Sequence, residues 1–293
     1  MVISRPLMDH CGHERVRFYP VKRELHQRHP LTGSSGSTDL EEVLAAVADG
    51  ALSPAAAAER LEGGAVRYLD EFAALDLGRS VRKGVPEVVY ASGKSPEQTA
   101  SICEALLSSN GRVIVSKLSP EHEAEIQRAL PGIPVRRAGR ALVVGAGDPD
   151  PSGGRICALS AGTSDLPILE EALAVVREMG VETKSFHDVG VAGIHRLAGP
   201  LREVRDFDPD CLVVAAGMEG ALPSVVSALV DVPVIGLPTS TGYGLGGDGT
   251  AAIMGMLQSC SPGLSVVNVD NGVGAGATAA LIANRAARGR NSD

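Results

Sequence analysis

The chain has 293 residues, about twice an average domain, so two domains are expected. Apolar residues make up 44% and charged residues 21%, and 27 basic against 35 acidic side chains leave a formal charge of −8. With aromatics at 3% and no Trp, the chain lacks the rings of a single-strand nucleic-acid platform, and its acidic balance argues against a general nucleic-acid binder.

In chain order, residues 1–38 are mixed polar and basic and close on Thr32-Gly-Ser-Ser-Gly-Ser-Thr38, so a disordered extension is expected. His10, Cys11 and His13 have no second ligand pair at metal-site spacing. From Asp39 onward, Leu40, Val43, Leu44 and Val47 share one helical face, Gly50 ends the turn, and Ser53-Pro54 opens a second, Ala-rich helix. Strands at 87–91, 112–116 and 141–144, with helices at 96–108 and 120–130, predict a small α/β domain over 39–145. Residues 145–154 (GAGDPDPSGG) read as a linker.

Beyond the linker, over 155–288, strands at 156–160, 182–186, 211–215, 234–237 and 264–269 alternate with helices beginning near Pro167, Leu197, Leu222, Thr250 and Thr278. Continuous apolar strands between amphipathic helices predict a parallel sheet covered on both faces. Such sheets bind ligands at the carboxyl ends of their strands.

The segments after those strands are therefore the candidates for chemistry. Ser160-Ala-Gly-Thr-Ser-Asp165 can present backbone N–H groups and hydroxyls to a phosphate, or Ser164 or Asp165 can simply cap the helix that carries Glu170 and Glu171; the two readings are compatible. His187 and His195-Arg196 flank the second loop; lone histidines are more often structural, while His195-Arg196 at a helix start suits an anion. Glu219 stands among glycines in Gly217-Met-Glu-Gly220, open either to a ligand or to a helix-start role. Pro238-Thr-Ser-Thr-Gly-Tyr-Gly-Leu-Gly-Gly247 is a lid candidate. Gly274-Ala-Gly-Ala-Thr-Ala279 fits a dinucleotide fingerprint in form, but it follows the last strand, and no acid follows at the required distance.

Five Cys and no C-x-x-C pair argue for a reduced, cytoplasmic protein without a zinc ribbon. No apolar run is long enough to predict a membrane span, and no signal core precedes the first charges. Cys103, Cys157 and Cys211 fall inside a predicted helix and two predicted strands, where thiols are inert. Cys260, beside Ser and Pro at a helix end, is the thiol placed for reactivity.

Taken together, Tyr90-Ala-Ser-Gly-Lys-Ser-Pro-Glu-Gln98, Ala161-Gly-Thr-Ser-Asp165, Asp188-Val-Gly-Val-Ala-Gly-Ile-His195, Gly217-Met-Glu-Gly220 and Gln258-Ser-Cys-Ser-Pro-Gly-Leu-Ser-Val-Val-Asn-Val-Asp-Asn-Gly272 resemble the LarB family. LarB proteins are the carboxylase/hydrolases of nickel-pincer nucleotide biosynthesis, and the likeness runs from about residue 39 to 285. The C-terminal part is similar in turn to phosphoribosylaminoimidazole carboxylase, the PurE-like three-layer αβα fold. The purine enzyme's Gly-Gly-Ala-Ala-His loop is replaced here by Gly217-Met-Glu-Gly-Ala-Leu222.

This resemblance implies carboxylation of the pyridinium ring of nicotinic acid adenine dinucleotide by bicarbonate or carbon dioxide, and hydrolysis of the phosphoanhydride to release AMP. It implies Cys260 as nucleophile and Glu219 for proton transfer. Ser160, Gly162, Thr163, Ser164, Asp165, His195, Arg196, Gly217 and Lys94 are implied around the substrate, with Asp165 and Asp270 as candidate ligands of Mg2+. It also implies a homo-octamer, in which the small-residue helix from Thr278 is expected to pack against a neighbour. A PurE-like enzyme acting on another nucleotide and a non-catalytic dinucleotide sensor are the alternatives.

Overall fold

The structure, a computed structural model, describes residues 37–57, 66–69 and 72–290. The expected disordered extension lies outside the described residues except for Ser37 and Thr38, which open helix α1 (Ser37–Ala48). His10, Cys11 and His13 also lie outside them. A short antiparallel pair follows, β1 (Val66–Leu69) and β2 (Ala73–Asp76), then the short helix α2 (Arg79–Lys83). The remaining N-terminal elements are β3 (Val88–Tyr90), α3 (Pro96–Asn110), β4 (Arg112–Ser116), α4 (Pro120–Ala129), β5 (Val135–Ala138) and β6 (Ala141–Gly145). Ser95 caps α3 reciprocally with Gln98, and Pro96 occupies the first turn, where its missing N–H costs nothing.

The strand order in this sheet is β3-β4-β6-β5, with β3 parallel to β4 and the other pairs antiparallel. Strand β5 escapes a hydrophobic-pattern reading because it is an edge strand whose Arg136 and Arg137 are exposed. Gly139 and Arg140 join β5 to β6. Only the first of these two residues has a positive φ, 56°, as a type II′ hairpin turn requires.

The C-terminal elements are β7 (Arg155–Ser160), α5 (Leu166–Glu178), β8 (Glu182–Phe186), a 3-10 segment (Val191–Leu197), α6 (Ala198–Phe207), β9 (Cys211–Ala216), α7 (Ala221–Ser227), β10 (Val234–Pro238), α8 (Thr250–Leu257), β11 (Leu264–Val266) and α9 (Gly272–Arg290). All five strands are parallel, in the order β11-β10-β9-β7-β8. On one face Ile156, Ala158, Val213, Ala215 and Leu237 pack on α5 and α9; on the other Leu159, Leu212, Val214 and Val234 pack on α6, α7 and α8. This is a three-layer αβα domain.

Two boundaries move. Strand β11 stops at Val266, three residues short of expectation, and Asn268 turns its side-chain oxygen onto the Val269 N–H at 2.9 Å. Helix α9 begins at Gly272 rather than near Thr278. Its glycines permit close approach to α5: a Cβ at Gly272 would lie 2.7 Å from Ile168 O, and one at Gly276 would lie 2.3 Å from Ala172 O. The small-residue face expected to meet a neighbour is thus spent on α5 of the same chain.

The two sheets share α5. Val113, Val115, Leu142 and Val144 point into the N-terminal core with Cys103, Leu106 and Ile126. The intervening Ile114, Ala141 and Val143 pack on Ala174 and Val175 of α5. Each strand buries both alternating faces, which explains why both read as unbroken apolar runs. Helix α5 is apolar nearly all round because it is buried nearly all round.

Candidate active site

In the parallel sheet the chain passes from β7 to β8 in one direction and from β9 through β10 to β11 in the other. The carboxyl ends of β7 and β9 therefore flank the topological switch point, where open α/β sheets hold ligands.

The loop after β7 is pinned from inside. Asp165, nearly buried, accepts the Gly162 N–H on Oδ2 at 2.8 Å and the Thr239 hydroxyl on Oδ1 at 2.6 Å. It makes no side-chain cap to α5, and the Gly162 N–H it consumes is withdrawn from any phosphate. Thr163 and Ser164 remain exposed at the loop's outer edge. Ser160, expected to touch substrate, is fully buried; its Oγ accepts the Asp188 N–H at 3.4 Å and so shapes the neighbouring turn instead. Gly190 must be small, because a Cβ there would stand 2.7 Å from Ala161 O.

After β9, Gly217 fits beneath the β10 loop: an added Cβ would fall 1.9 Å from Thr241 O, and the next residue, Met218, donates its N–H to that same oxygen at 3.1 Å. Met218 takes a φ of 52°, rare for a non-glycine, and Gly220 one of 66°. These turns leave Glu219 exposed just before α7, its carbonyl packed against Gly255 of α8. Of the predicted lid, Tyr243 and Leu245 are exposed, whereas Thr239 is buried and bonded. Residues 239–241 are therefore a fixed brace rather than a flexible lid.

Asp270 joins this brace to the other domain. Its Oδ1 accepts the Ser240 N–H at 2.9 Å, and its Oδ2 accepts the Ser240 hydroxyl at 2.7 Å and pairs with Arg140 at 2.8 Å. Burial pushes its carboxyl up, but the Ser240 amide and hydroxyl and the Arg140 guanidinium more than reverse this, holding it below the ordinary carboxylate range. Lys117 donates to the Asp270 carbonyl at 2.9 Å. One layer deeper, Glu171 is fully buried and accepts the Ser116 hydroxyl at 2.5 Å, while its Oε2 has no hydrogen-bond partner. Burial, only partly offset by Ser116, Lys117 and Arg140, raises its pKa.

Asp165 and Asp270 do not fit the role of a magnesium pair. Each carboxylate is committed to donors of the chain itself, and no group of three or more His, Cys, Asp or Glu suited to a metal ion occurs among the described residues. Arg196 pairs with Asp188 at 2.7 Å, and His195 is exposed beside it. Lys94 belongs to the N-terminal domain, where its Nζ donates to Tyr90 O at 2.7 Å.

Cys260 is exposed, four residues before β11 and hence toward the amino edge of the sheet. The adjoining Ser261 hydroxyl donates to Ser224 O at 2.8 Å, midway along α7, and no hydrogen bond joins Cys260 to Glu219. The chain thus gathers Glu219, Thr239, Ser240, Asp165 and Asp270 at the carboxyl ends and leaves the thiol farther along α7. Cys103, Cys157 and Cys211 are buried, and desolvation pushes each thiol up to about 12. The residues missed by sequence reasoning are Arg140, Lys117, Ser116 and Glu171. Their one sequence signal is position, at the carboxyl end of β4, in a Gly-Arg turn or on α5.

No described helix is long and apolar enough to cross a membrane. Residues 67–146 match a family described as the LarB/PurE-like N-terminal domain, and residues 155–292 match AIR carboxylase. An uncharacterized protein of Methanocaldococcus jannaschii is 39% identical over 251 residues, covering 84% of this chain and 97% of that protein. The N5-carboxyaminoimidazole ribonucleotide mutase of the same organism is 34% identical over 129 residues, 44% of this chain and 75% of that enzyme. The mutase of Thermotoga maritima is 26% identical over 135 residues, 44% of this chain and 74% of that enzyme. Family signatures in this order, over a mixed sheet and then a five-stranded parallel one, show that the chain belongs to the LarB family, with a PurE-like domain of the carboxylase/mutase type.

Proposed function

We propose that this protein carboxylates the pyridinium ring of nicotinic acid adenine dinucleotide and hydrolyses its phosphoanhydride, giving pyridinium-3,5-biscarboxylic acid mononucleotide and AMP for nickel-pincer nucleotide synthesis. Beyond the family, the contrast among thiols carries the reading: Cys260 is exposed, whereas Cys103, Cys157 and Cys211 are buried and held protonated.

A pyridinium is too electron-poor to attack carbon dioxide. Addition of the Cys260 thiolate para to the ring nitrogen forms a C–S bond and a dihydropyridine whose free meta carbon is enamine-like. That carbon attacks carbon dioxide, forming the C–C bond and leaving an iminium. Glu219 takes the proton from the same carbon, the nitrogen lone pair expels the thiolate, and the aromatic ring is restored. Net, a ring C–H and carbon dioxide become a ring carboxylate and a proton. Water cleaves the phosphoanhydride separately. The exposed hydroxyls of Thr163 and Ser164, with Arg196, His195 and Lys94, are assigned to the phosphates and riboses.

Within one chain no hydrogen bond joins Cys260 to Glu219, and the two stand at opposite ends of their strands, Glu219 after β9 and Cys260 before β11. A homo-octamer in which neighbouring subunits bring them together is therefore part of the proposal. Support comes from the exposure of Met254 and Leu257 on α8 next to the thiol, at 65% and 68%.

The test is incorporation of isotope-labelled bicarbonate into the dinucleotide's ring, followed by mass spectrometry in the presence of magnesium. Wild type should incorporate label and release AMP, and Cys260→Ser should lose incorporation while retaining its fold. A Ser hydroxyl stays protonated and is a far poorer nucleophile at neutral pH. Comparable incorporation by the two proteins would end the thiol mechanism.

A further inference from the structure

Two cationic side chains of the N-terminal domain end on one residue of the C-terminal domain. Lys117, at the end of β4, adopts a φ of 55° and reaches the Asp270 carbonyl; Arg140 reaches the Asp270 carboxylate. The Arg140 turn is docked for this purpose. Its N–H donates to Pro167 O at 3.0 Å, and Gly139 lies so close that a Cβ would stand 2.1 Å from that same oxygen. A positive φ and a backbone overlap together restrict the position to glycine.

Asp270 passes the contact onward to Ser240, through both the backbone N–H and the hydroxyl. On either side of Ser240, Thr239 donates to Asp165 of the β7 loop, and Thr241 accepts the Met218 N–H of the β9 loop. Thr241 also donates to Ser164 O at 3.4 Å. One residue thus links the N-terminal domain to both loops at the switch point.

We infer that the N-terminal domain serves as a positioning device for the active site: Arg140 and Lys117 hold Asp270, and Asp270 sets the 239–241 brace against which the Glu219 and Gly162–Asp165 loops are built. Arg140 and Lys117 touch no reacting atom in this scheme and are positioning residues. An exposed ion pair contributes little to stability and could be lost with little effect. Asp270 differs, because its side chain is only 19% exposed and both oxygens are used, so the geometry it enforces matters more than the pair's stability. The activity part of the inference rests on the proposed reaction; the structural part does not.

The test uses the full chain with Arg140→Gln and Arg140→Lys, read by hydrogen exchange and by carboxylation kinetics. In Arg140→Gln, amide exchange should rise about tenfold at 215–220 and 239–242 while β7 and α5 keep wild-type protection. The kcat should fall about tenfold to a hundredfold with a smaller change in KM, the mark of misplacement rather than lost binding. Arg140→Lys should recover part of both. Unchanged exchange in those segments, or an equal rise throughout β7 and α5, would overturn the inference. If wild type carboxylates no nicotinate dinucleotide, the proposed reaction fails and the exchange result alone decides this one.

Discussion

The two sheets of this molecule are built from similar apolar strands but put to different uses. The C-terminal sheet is all parallel, has helices of its own on both faces, and presents its loops at one edge. The N-terminal sheet is mixed and, among the described residues, packs its own helices on one face, while the second face leans on α5 of its partner domain. A parallel sheet needs crossover helices, and these bring their own cover; a sheet closed by a two-residue hairpin must find cover elsewhere. The lesson is that the N-terminal domain is structurally dependent, and that its dependent face points Arg140 and Lys117 at the other domain's loops.

Three substitutions, one of them with a matched control, test that asymmetry, beginning with the most damaging. Asp165→Ala strikes the C-terminal loops directly and strands the Gly162 amide and the Thr239 hydroxyl. It is expected to cost about 2–5 kcal/mol in urea unfolding and to weaken nucleotide binding in calorimetry. Unchanged affinity for both the dinucleotide and the product mononucleotide would reduce this loop to scaffolding.

Gly139→Ala separates docking from backbone strain. Both Gly139 and Gly93 have positive φ, but a Cβ at Gly139 meets Pro167 while one at Gly93 meets nothing within 4 Å. Gly93→Ala should cost about 1 kcal/mol, and Gly139→Ala about 2–4 kcal/mol. Equal losses would mean that the hairpin does not dock in solution.

Glu171→Gln gives the smallest effect and the sharpest pH signature. The folded chain raises this carboxyl above its ordinary 4.5, so it holds its proton longer than the unfolded chain does. The neutral acid's contribution is full below 4.5 and is lost as pH rises through the raised value. Glutamine, always neutral, escapes that loss. The stability difference should shift in the variant's favour on going from pH 4 to pH 8, measured by thermal unfolding of both proteins across that range. A pH-independent difference would show that Glu171 is not desolvated at the domain seam.

Much of the fold was legible because its signals are local. Strands 112–116 and 182–186 were read at their observed bounds, and Pro96, Pro120 and Thr250 were placed at or near helix starts. Strand β5 was missed because Arg136 and Arg137 disguise an edge strand. The start of α9 was misplaced because its glycines, ordinarily helix breakers, serve close packing on α5. At the site, the Gly217–Gly220 turn and the exposed thiol were readable from glycine spacing and from a cysteine outside every regular element.

By itself, the sequence determined the alternation of C-terminal elements, the parallel sheet and the loops at its carboxyl edge, since periodicity, caps and glycine turns act over a few residues. Tertiary structure alone decided which way those loops' side chains turned: Asp165 inward to Thr239 and Ser160 into the core. It also decided that Arg140 should meet a carboxylate 130 residues away. Such pairs are set by how one sheet packs on another sheet's helix. No short-range pattern encodes that, because the partner is chosen by the shape of the whole core.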